Sequence, residues 1–482
     1  MPPYSLGFIM KSLRIICQLF LYHTNMIGDE MYFSDLAHTL QNISADEKAV
    51  FVSGHPGSGK TFGALQFCAE HKEVLYFSFK NLDAAFALRV FCNSRTDIFG
   101  GCKSWNDFFS CLMHYGNKKH PLVYFDNAGE RNDKDDFYAA LNDFLESDSK
   151  TTVILLGRPW ETPPIPCRVV EINFFSMPQL ADVCSLADET AAKLYCLTGA
   201  IPALLSLYNN EQSFEGNVRA FLCTDSIFYR LAERWMNESF RTPESYNTLL
   251  YAMANDYNRI GESAKFSGFP KNKCDKYIKA LIERGFAIKA PGENGHTKYR
   301  PANTYLTLWY KCLLTAVPTS DGNFGEDAFN RFMQFFNGEL MAEFYQNMCR
   351  YWLEEHINNH NSATYIDAKN PVYQNVEIGG VAFDFAYQKD RNVYAYFDTV
   401  PGKGLNINLW QKIDAVTSKI SPFYKNEYYI CTANRVPDSF WKVSKAYDNV
   451  HIVSRKMLFA TYKKEYNRVA HPRFVPSFVN KR

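Results

Sequence analysis

The eight residues GHPGSGKT, Gly54 to Thr61, follow the apolar run AVFV and lead into a helically patterned stretch. Few short segments constrain a fold more, because this one demands a strand before it and a helix after it. Its glycines let the backbone wrap so that successive N–H groups converge on one centre, and the helix behind adds the positive end of its dipole. Gly54, Gly59, Lys60 and Thr61 match the spacing G-x-x-x-x-G-K-[ST] in full, with His55, Pro56, Gly57 and Ser58 filling the loop. Such a loop cradles phosphates. Lys60 neutralises the β- and γ-phosphates of a nucleotide such as ATP, and Thr61 ligates the accompanying Mg²⁺.

Between residue 49 and about residue 175, nearly all-apolar runs (AVFVSG, EVLYFSF, PLVYFD, TTVILLG, RVVEINFF) alternate with helical stretches at Lys60 to about Glu70, 81 to 91 and 134 to 146. Strands apolar on both faces and alternating with helices predict a parallel sheet covered on each side. The fold class is therefore α/β, with a P-loop nucleotide-binding core over 26–176. Hydrolysis needs a second acid at the end of another strand, and Asp126, closing PLVYFD, is placed to share the metal with Thr61. The next position, where such ATPases carry a water-polarising glutamate, is Asn127, which orients a water but cannot take its proton. Glu130, about one turn later, is the nearest substitute. A polar sensor of the γ-phosphate is expected after TTVILLG, where Arg158 stands; Arg168 is a second cation for that role, and for either the alternative is a surface arginine.

At 482 residues the chain exceeds what one core organises, so several domains are expected. A net charge of +1 excludes a globally basic nucleic-acid binder and leaves room for a local patch. Thirteen cysteines are scattered singly with no C-x-x-C pair, which reads as reduced core residues of a cytoplasmic protein rather than a disulfide framework or zinc site. SLGFIMKSLRIICQLFLY, residues 5 to 22, is apolar, but Lys11 and Arg14 interrupt it and no cleavage site follows, so neither export nor a membrane span is expected. Residues 1–25 are read as an extension outside the mechanism, with Met26 an alternative start.

The pattern turns helical over 177–242. Residues 243–316 then read as a winged helix: PESYNTLLYAMAND, RIGESAKFSG and PKNKCDKYIKALIERG make three helices, and FAIKAPGENGHTKYRPA makes a two-stranded wing. Residues 243–300 hold ten Lys/Arg against six Asp/Glu. Lys271, Lys273, Lys276 and Lys279 on the third helix, with Lys298 and Arg300 on the wing, can reach DNA phosphates; interdomain packing with a solvated lysine face is the alternative. Residues 325–460 run helix first and then strands, a second α/β domain, and 461–482 form a tail.

With these residues in hand, the chain resembles archaeal-type ATPases of the STAND class, which are similar in fold to AAA+ ATPases. The resemblance spans roughly 26–460 and is carried by GHPGSGKT, LVYFDN, the strand-end LLG, Arg168 at the family's Gly-Arg position, and TGAIP at 198–202, which is similar to a G-x-x-P signature. It implies a sheet of strand order 5-1-4-3-2 and a helical lid over 177–242 in which Pro202 packs against the nucleotide base. It also implies nucleotide-controlled switching, an unknown protein partner and oligomers formed in one nucleotide state. This chain departs from the pattern at Asn127 and at Cys167, where a glycine precedes the arginine. The C-terminal domain resembles PD-(D/E)-x-K nucleases of the restriction-endonuclease type. Glu343, Asp384 and Asp398 match the acids, while Val400 stands at the lysine position and Lys403 three residues further on. A degenerate, non-cleaving domain is the expectation. An ATP-gated DNA-processing nuclease and a non-hydrolysing DNA-binding regulator are the alternatives.

Overall fold

A computed structural model describes residues 48–64, 73–129, 135–147, 151–291, 297–360, 376–378, 381–388, 392–400 and 426–468, with 402, 404–405, 408–409, 411–412 and 415 between the last two. The N-terminal extension, Glu130, the wing tip and Lys403 lie outside the described residues. The chain divides into two compact units, one of residues 1–175, 179–186 and 200–306, the other of 176–178, 187–199 and 307–482. This division cuts across the helical block expected over 177–242: the helix Asp188–Thr198 groups with the C-terminal unit. There Tyr195 packs against Phe344, their ring centroids 5.9 Å apart, and Glu189 pairs with Arg455 at 2.9 Å.

The first unit is built on five strands: β1 (Ala49–Gly54), β2 (Val74–Ser78), β3 (Leu122–Asp126), β4 (Thr152–Gly157) and β5 (Arg168–Ile172). All neighbours are parallel, and the order β2-β3-β4-β1-β5 is the expected 5-1-4-3-2 read from the opposite edge. The alternation of side chains explains why the strands read as continuous apolar runs. Phe51, Val123, Phe125, Val153 and Leu155 enter the core on one face, and Val50, Val52, Tyr124, Ile154 and Leu156 enter that on the other. The first core is strongly aromatic: Phe99 stacks on Phe108 at 4.1 Å, and Phe77 stacks on Phe125 at 5.6 Å. Truncating one such ring costs about 3–5 kcal/mol, so this layer holds the ends of the central strands firmly in register.

Much of that layer comes from the helix Trp105–Lys119, which periodicity alone left unassigned. Ser104 Oγ accepts from Asp107 N at 3.1 Å, and Asp107 Oδ2 accepts from Ser104 N at 3.0 Å, a complete capping box. Trp105, Phe108, Phe109 and Leu112 then line its buried face, and His120 ends it with φ of 48°. The helices Ala84–Ser94 and Asp135–Glu146 and the five strands fall close to their expected ranges, while the expected helix from Lys60 to about Glu70 lies outside the described residues beyond residue 64.

Three helices follow in the same unit, Pro243–Ala254, Ile260–Ser267 and Lys271–Glu283, and then an antiparallel hairpin of β6 (Ala287–Pro291) and β7 (Thr297–Pro301). In the second unit β8 (Val376–Ile378) pairs with β9 (Val381–Phe383). β10 (Phe385–Gln388), β11 (Asn392–Asp398), β12 (Asn426–Thr432) and β13 (Val450–Val453) form a sheet in that order, with only the β10–β11 pair antiparallel. The helix Met341–His360 precedes these strands, as expected of this region.

Candidate functional site

The phosphate loop leaves the C-terminal end of β1, between β4 and β5 in the sheet. Gly57 and Gly59 take φ of +83° and +87°, the left-handed region that side chains avoid, so the wrap of the loop requires glycine at both. At Gly54 a Cβ would stand 2.7 Å from Ile172 O, which keeps β1 and β5 close just where the loop departs. The TGAIP segment is brought onto the loop: Ala203 N donates to Gly57 O at 3.1 Å, and a Cβ on Gly57 would meet Ile201 Cγ2 at 2.9 Å. Pro202 opens the short helix Pro202–Leu205 at this contact.

Lys60 heads the following helix and turns back on its own loop, Nζ donating to Gly54 O at 2.6 Å and to His55 O at 3.1 Å. Burial lowers its pKa from 10.5 to about 8, opposed by the nearby charges of Asp126 and Glu161. An anion placed there restores the charged form. Thr61 Oγ1 donates to Asp126 Oδ2 at 3.1 Å, Tyr76 OH donates to the same oxygen at 2.5 Å, and Asn127 N donates to Oδ1 at 2.8 Å. The register puts Asp126 opposite Ser78 on β2 and Leu156 on β4, which is why the second acid faces the loop. A hydroxyl and a carboxylate oxygen in contact fit a hard cation that keeps water and phosphate oxygens as its other ligands, so Thr61 and Asp126 would hold Mg²⁺.

Asn127 follows with φ of 56°, a conformation asparagine tolerates better than most residues. Arg158 is at the end of β4 but is tied sideways, Nη1 donating to Glu238 O at 2.8 Å and Nη2 to Glu238 Oε2 at 3.1 Å. Arg168 is not brought to the loop. It begins β5 opposite Val50, exposed, four residues before the Ile172–Gly54 pair that adjoins the loop. The Gly-Arg correspondence placed it by position in the chain, whereas parallel pairing with β1 puts the first residue of β5 at the N-terminal ends of the strands, opposite the loop.

His55 is the loop's other unusual residue. Its ring is surrounded by Trp160, Phe174 and Trp235, with centroids 5.9, 5.7 and 5.4 Å away, and Nδ1 is buried without a hydrogen-bond partner among the described residues. Burial, with Lys60 nearby, lowers its pKa from 6.5 to about 4, so the ring is neutral at physiological pH. Gly285, between the third helix and β6, closes the box: a Cβ there would lie 2.2 Å from His55 Cε1.

In the second unit Asp384 and Asp398 are neighbours, Asp384 Oδ2 accepting from Phe397 N at 2.8 Å. Asp398 Oδ2 accepts from Thr432 Oγ1 at 2.7 Å and from Asn434 Nδ2 at 3.1 Å. Burial raises the Asp384 pKa. Glu343 is exposed on its helix, and no group of three or more His, Cys, Asp or Glu among the described residues could hold a metal. Of the third-helix lysines, Lys273 lies 4.0 Å from the Phe269 ring centroid and Lys279 pairs with Asp275 at 2.7 Å.

No protein-family model and no curated protein sequence matches the chain. Among solved structures it is similar to the Walker-type ATPase PABY2304 of Pyrococcus abyssi, at 14% identity and a TM-score of 0.45, over 59% of this chain and 96% of that one. It is similar to a STAND protein with a tetratricopeptide repeat sensor from Pyrococcus horikoshii, PH0952, at 14% identity and a TM-score of 0.30, over 68% of this chain and 48% of that one. A third is the Thermotoga maritima RuvB Holliday junction branch migration motor, at 13% identity and a TM-score of 0.26, over 60% and 93% of the two chains. At these scores the chemistry rests on this chain's own residues. Among the described residues no helix is long and apolar enough to cross a membrane.

Sequence reasoning missed Tyr76, Glu161 and Glu238. Glu161 turns back after β4, its Oε2 accepting from Arg158 N at 2.6 Å, and it left one trace in the sequence: Gly129 and Gly157, where a Cβ would meet its carboxylate at 2.0 and 2.9 Å.

Proposed function

We propose that the first unit binds Mg·ATP and that nucleotide occupancy repositions the three-helix and hairpin segment, 243–301, a winged helix in this reading, relative to the phosphate loop. The observation that carries the reading is the loop itself, with Lys60 held on Gly54 O and His55 O and Thr61 on Asp126 at 3.1 Å. A triphosphate offers Lys60 oxygens of full negative charge in place of carbonyls, and backbone N–H groups of the loop complete the cradle. Bound Mg²⁺ offsets charge on the β- and γ-phosphates. When Lys60 swings to phosphate it releases the His55 carbonyl, and His55 touches Gly285, so the loop and the segment 243–301 share one packed joint. The C-terminal unit is read as a nuclease-like module without cleavage, because Val400 stands where the nuclease lysine is expected and Thr432 and Asn434 already bond one carboxylate oxygen of Asp398.

The test measures ATP affinity by calorimetry and hydrogen exchange of 243–301 in the full chain, with and without Mg·ATP. Wild type is expected to bind and to change protection there, and Lys60→Ala is expected to lose at least about tenfold in affinity. Equal affinity in the two proteins, or binding with unchanged protection, refutes the reading. Retarded DNA migration that Lys271→Ala and Lys276→Ala abolish would instead favour the DNA-binding regulator.

A further inference from the structure

We propose that Glu161 is the general base of this site, supplying from the turn after β4 the carboxylate that Asn127 lacks after β3. The inference rests on the ATP-binding reading above. β3 and β4 are neighbours with Asp126 opposite Leu156, so Gly157 and the turn that follows it lie beside the end of β3. That turn is closed twice: Glu161 N donates to Arg158 O at 3.0 Å, and Arg158 N donates to Glu161 Oε2 at 2.6 Å. The second bond folds the carboxylate back over the strand ends instead of letting it extend into solvent.

The strand ends are shaped to receive it. A Cβ on Gly129 would stand 2.1 Å from Oε2, and one on Gly157 would stand 2.9 Å from the same atom. Gly129, three residues past Asp126, thus leaves the space that this carboxylate fills, while Gly157, one residue past the register partner of Asp126, makes room first for the Phe51 ring at 2.5 Å and then for the same carboxylate. The negative charge of Glu161 acts on Lys60 next after that of Asp126, which places all three groups in one electrostatic neighbourhood. Glu238, the other carboxylate acting on Lys60, is committed through both oxygens: Oε2 to Arg158 Nη2 at 3.1 Å and Oε1 to Arg234 Nε at 2.7 Å. Glu161 uses only Oε2, and Oε1 has no hydrogen bond among the described residues.

The step balances simply. The oxygen of a water, oriented by the Asn127 amide, forms a bond to the γ-phosphorus while its proton passes to Glu161 Oε1. The bond from the γ-phosphorus to the β–γ bridging oxygen breaks, its electron pair staying on ADP. Inorganic phosphate leaves, and Glu161 returns the proton to solvent.

The test compares ATP binding, phosphate release and unfolding midpoint in full-length wild type, Glu161→Gln and Glu161→Asp with Mg²⁺. Glutamine keeps an acceptor for Arg158 N and loses the base. Its affinity is expected within about twofold of wild type, with turnover down by about 10²- to 10⁴-fold, the usual worth of a general base, and Glu161→Asp intermediate. Glu161→Gln turnover within about threefold of wild type overturns the proposal. So does wild type that binds ATP without turning it over. Binding, turnover and midpoint lost together in Glu161→Gln would assign Glu161 to the turn alone and also overturn it. Failure of wild type to bind ATP would strike the ATP reading instead.

Discussion

Replacing Gly285 by alanine tests whether the phosphate loop and the segment 243–301 are packed as one body. Gly285 has φ of +72°, which costs an alanine about 1–2 kcal/mol. Its new Cβ would also stand 2.2 Å from His55 Cε1 and 2.8 Å from Nε2. The ring is hemmed in by Trp160, Phe174 and Trp235, so it relieves the overlap only by moving the loop, an overpacking cost of about 1–3 kcal/mol. Gly268 is the matched control: its φ is +71°, and a Cβ there would have nothing within 4 Å among the described residues. Gly285→Ala should therefore destabilise by about 2–5 kcal/mol and Gly268→Ala by only the backbone share of about 1–2 kcal/mol. Urea unfolding followed by circular dichroism reads the difference in midpoint of the same transition. ATP affinity should fall in Gly285→Ala and hold in Gly268→Ala. Placing Gly285→Ala on a His55→Ala background should shrink its cost to that of the control, because the clash has lost one partner. Equal destabilisation by the two glycine substitutions on the wild-type background would refute the reasoning.

Two further outcomes are expected. The pKa of His55 is lowered by burial to about 4 in the fold against 6.5 ordinarily, so between these values the unfolded chain binds a proton that the folded chain refuses. Stability should fall as pH drops from 6.5 to 4, by about 3 kcal/mol in all, and His55→Phe should flatten that part of a urea-midpoint profile; an unchanged slope would contradict it. In the second unit, Asp398→Ala leaves the Thr432 hydroxyl and the Asn434 amide without their carboxylate and should cost about 1–3 kcal/mol in thermal unfolding, whereas a functional metal site would show Mg²⁺-dependent stabilisation of wild type.

The sheet was legible because burial on both faces leaves no choice of residue: β1, β3 and β4 are apolar at nearly every position, and helices must alternate with them to cover each face. The phosphate loop was legible for a local reason, since Gly57 and Gly59 need left-handed backbone within a few residues of Lys60 and Thr61. Asp126 followed from its position at a strand end. Local spacing could not show which distant side chains would share the pocket. Arg168 shared a position in the motif with the arginine that the resemblance implies, yet the direction of β5 puts it at the strand ends opposite the loop. Glu161 lay in an unremarkable turn, and only the register of β3 against β4 sets its carboxylate over Gly129 and Gly157.

By itself, then, the sequence determined the α/β class, the strand ends and the phosphate loop, because periodicity and backbone conformation are properties of neighbouring residues. Tertiary structure alone decided that His55 would be enclosed by Trp160, Phe174, Trp235 and Gly285, and that Arg158 would be drawn to Glu238. Those contacts join residues up to 230 positions apart, the span from His55 to Gly285, and only the tertiary fold brings them within reach of one another.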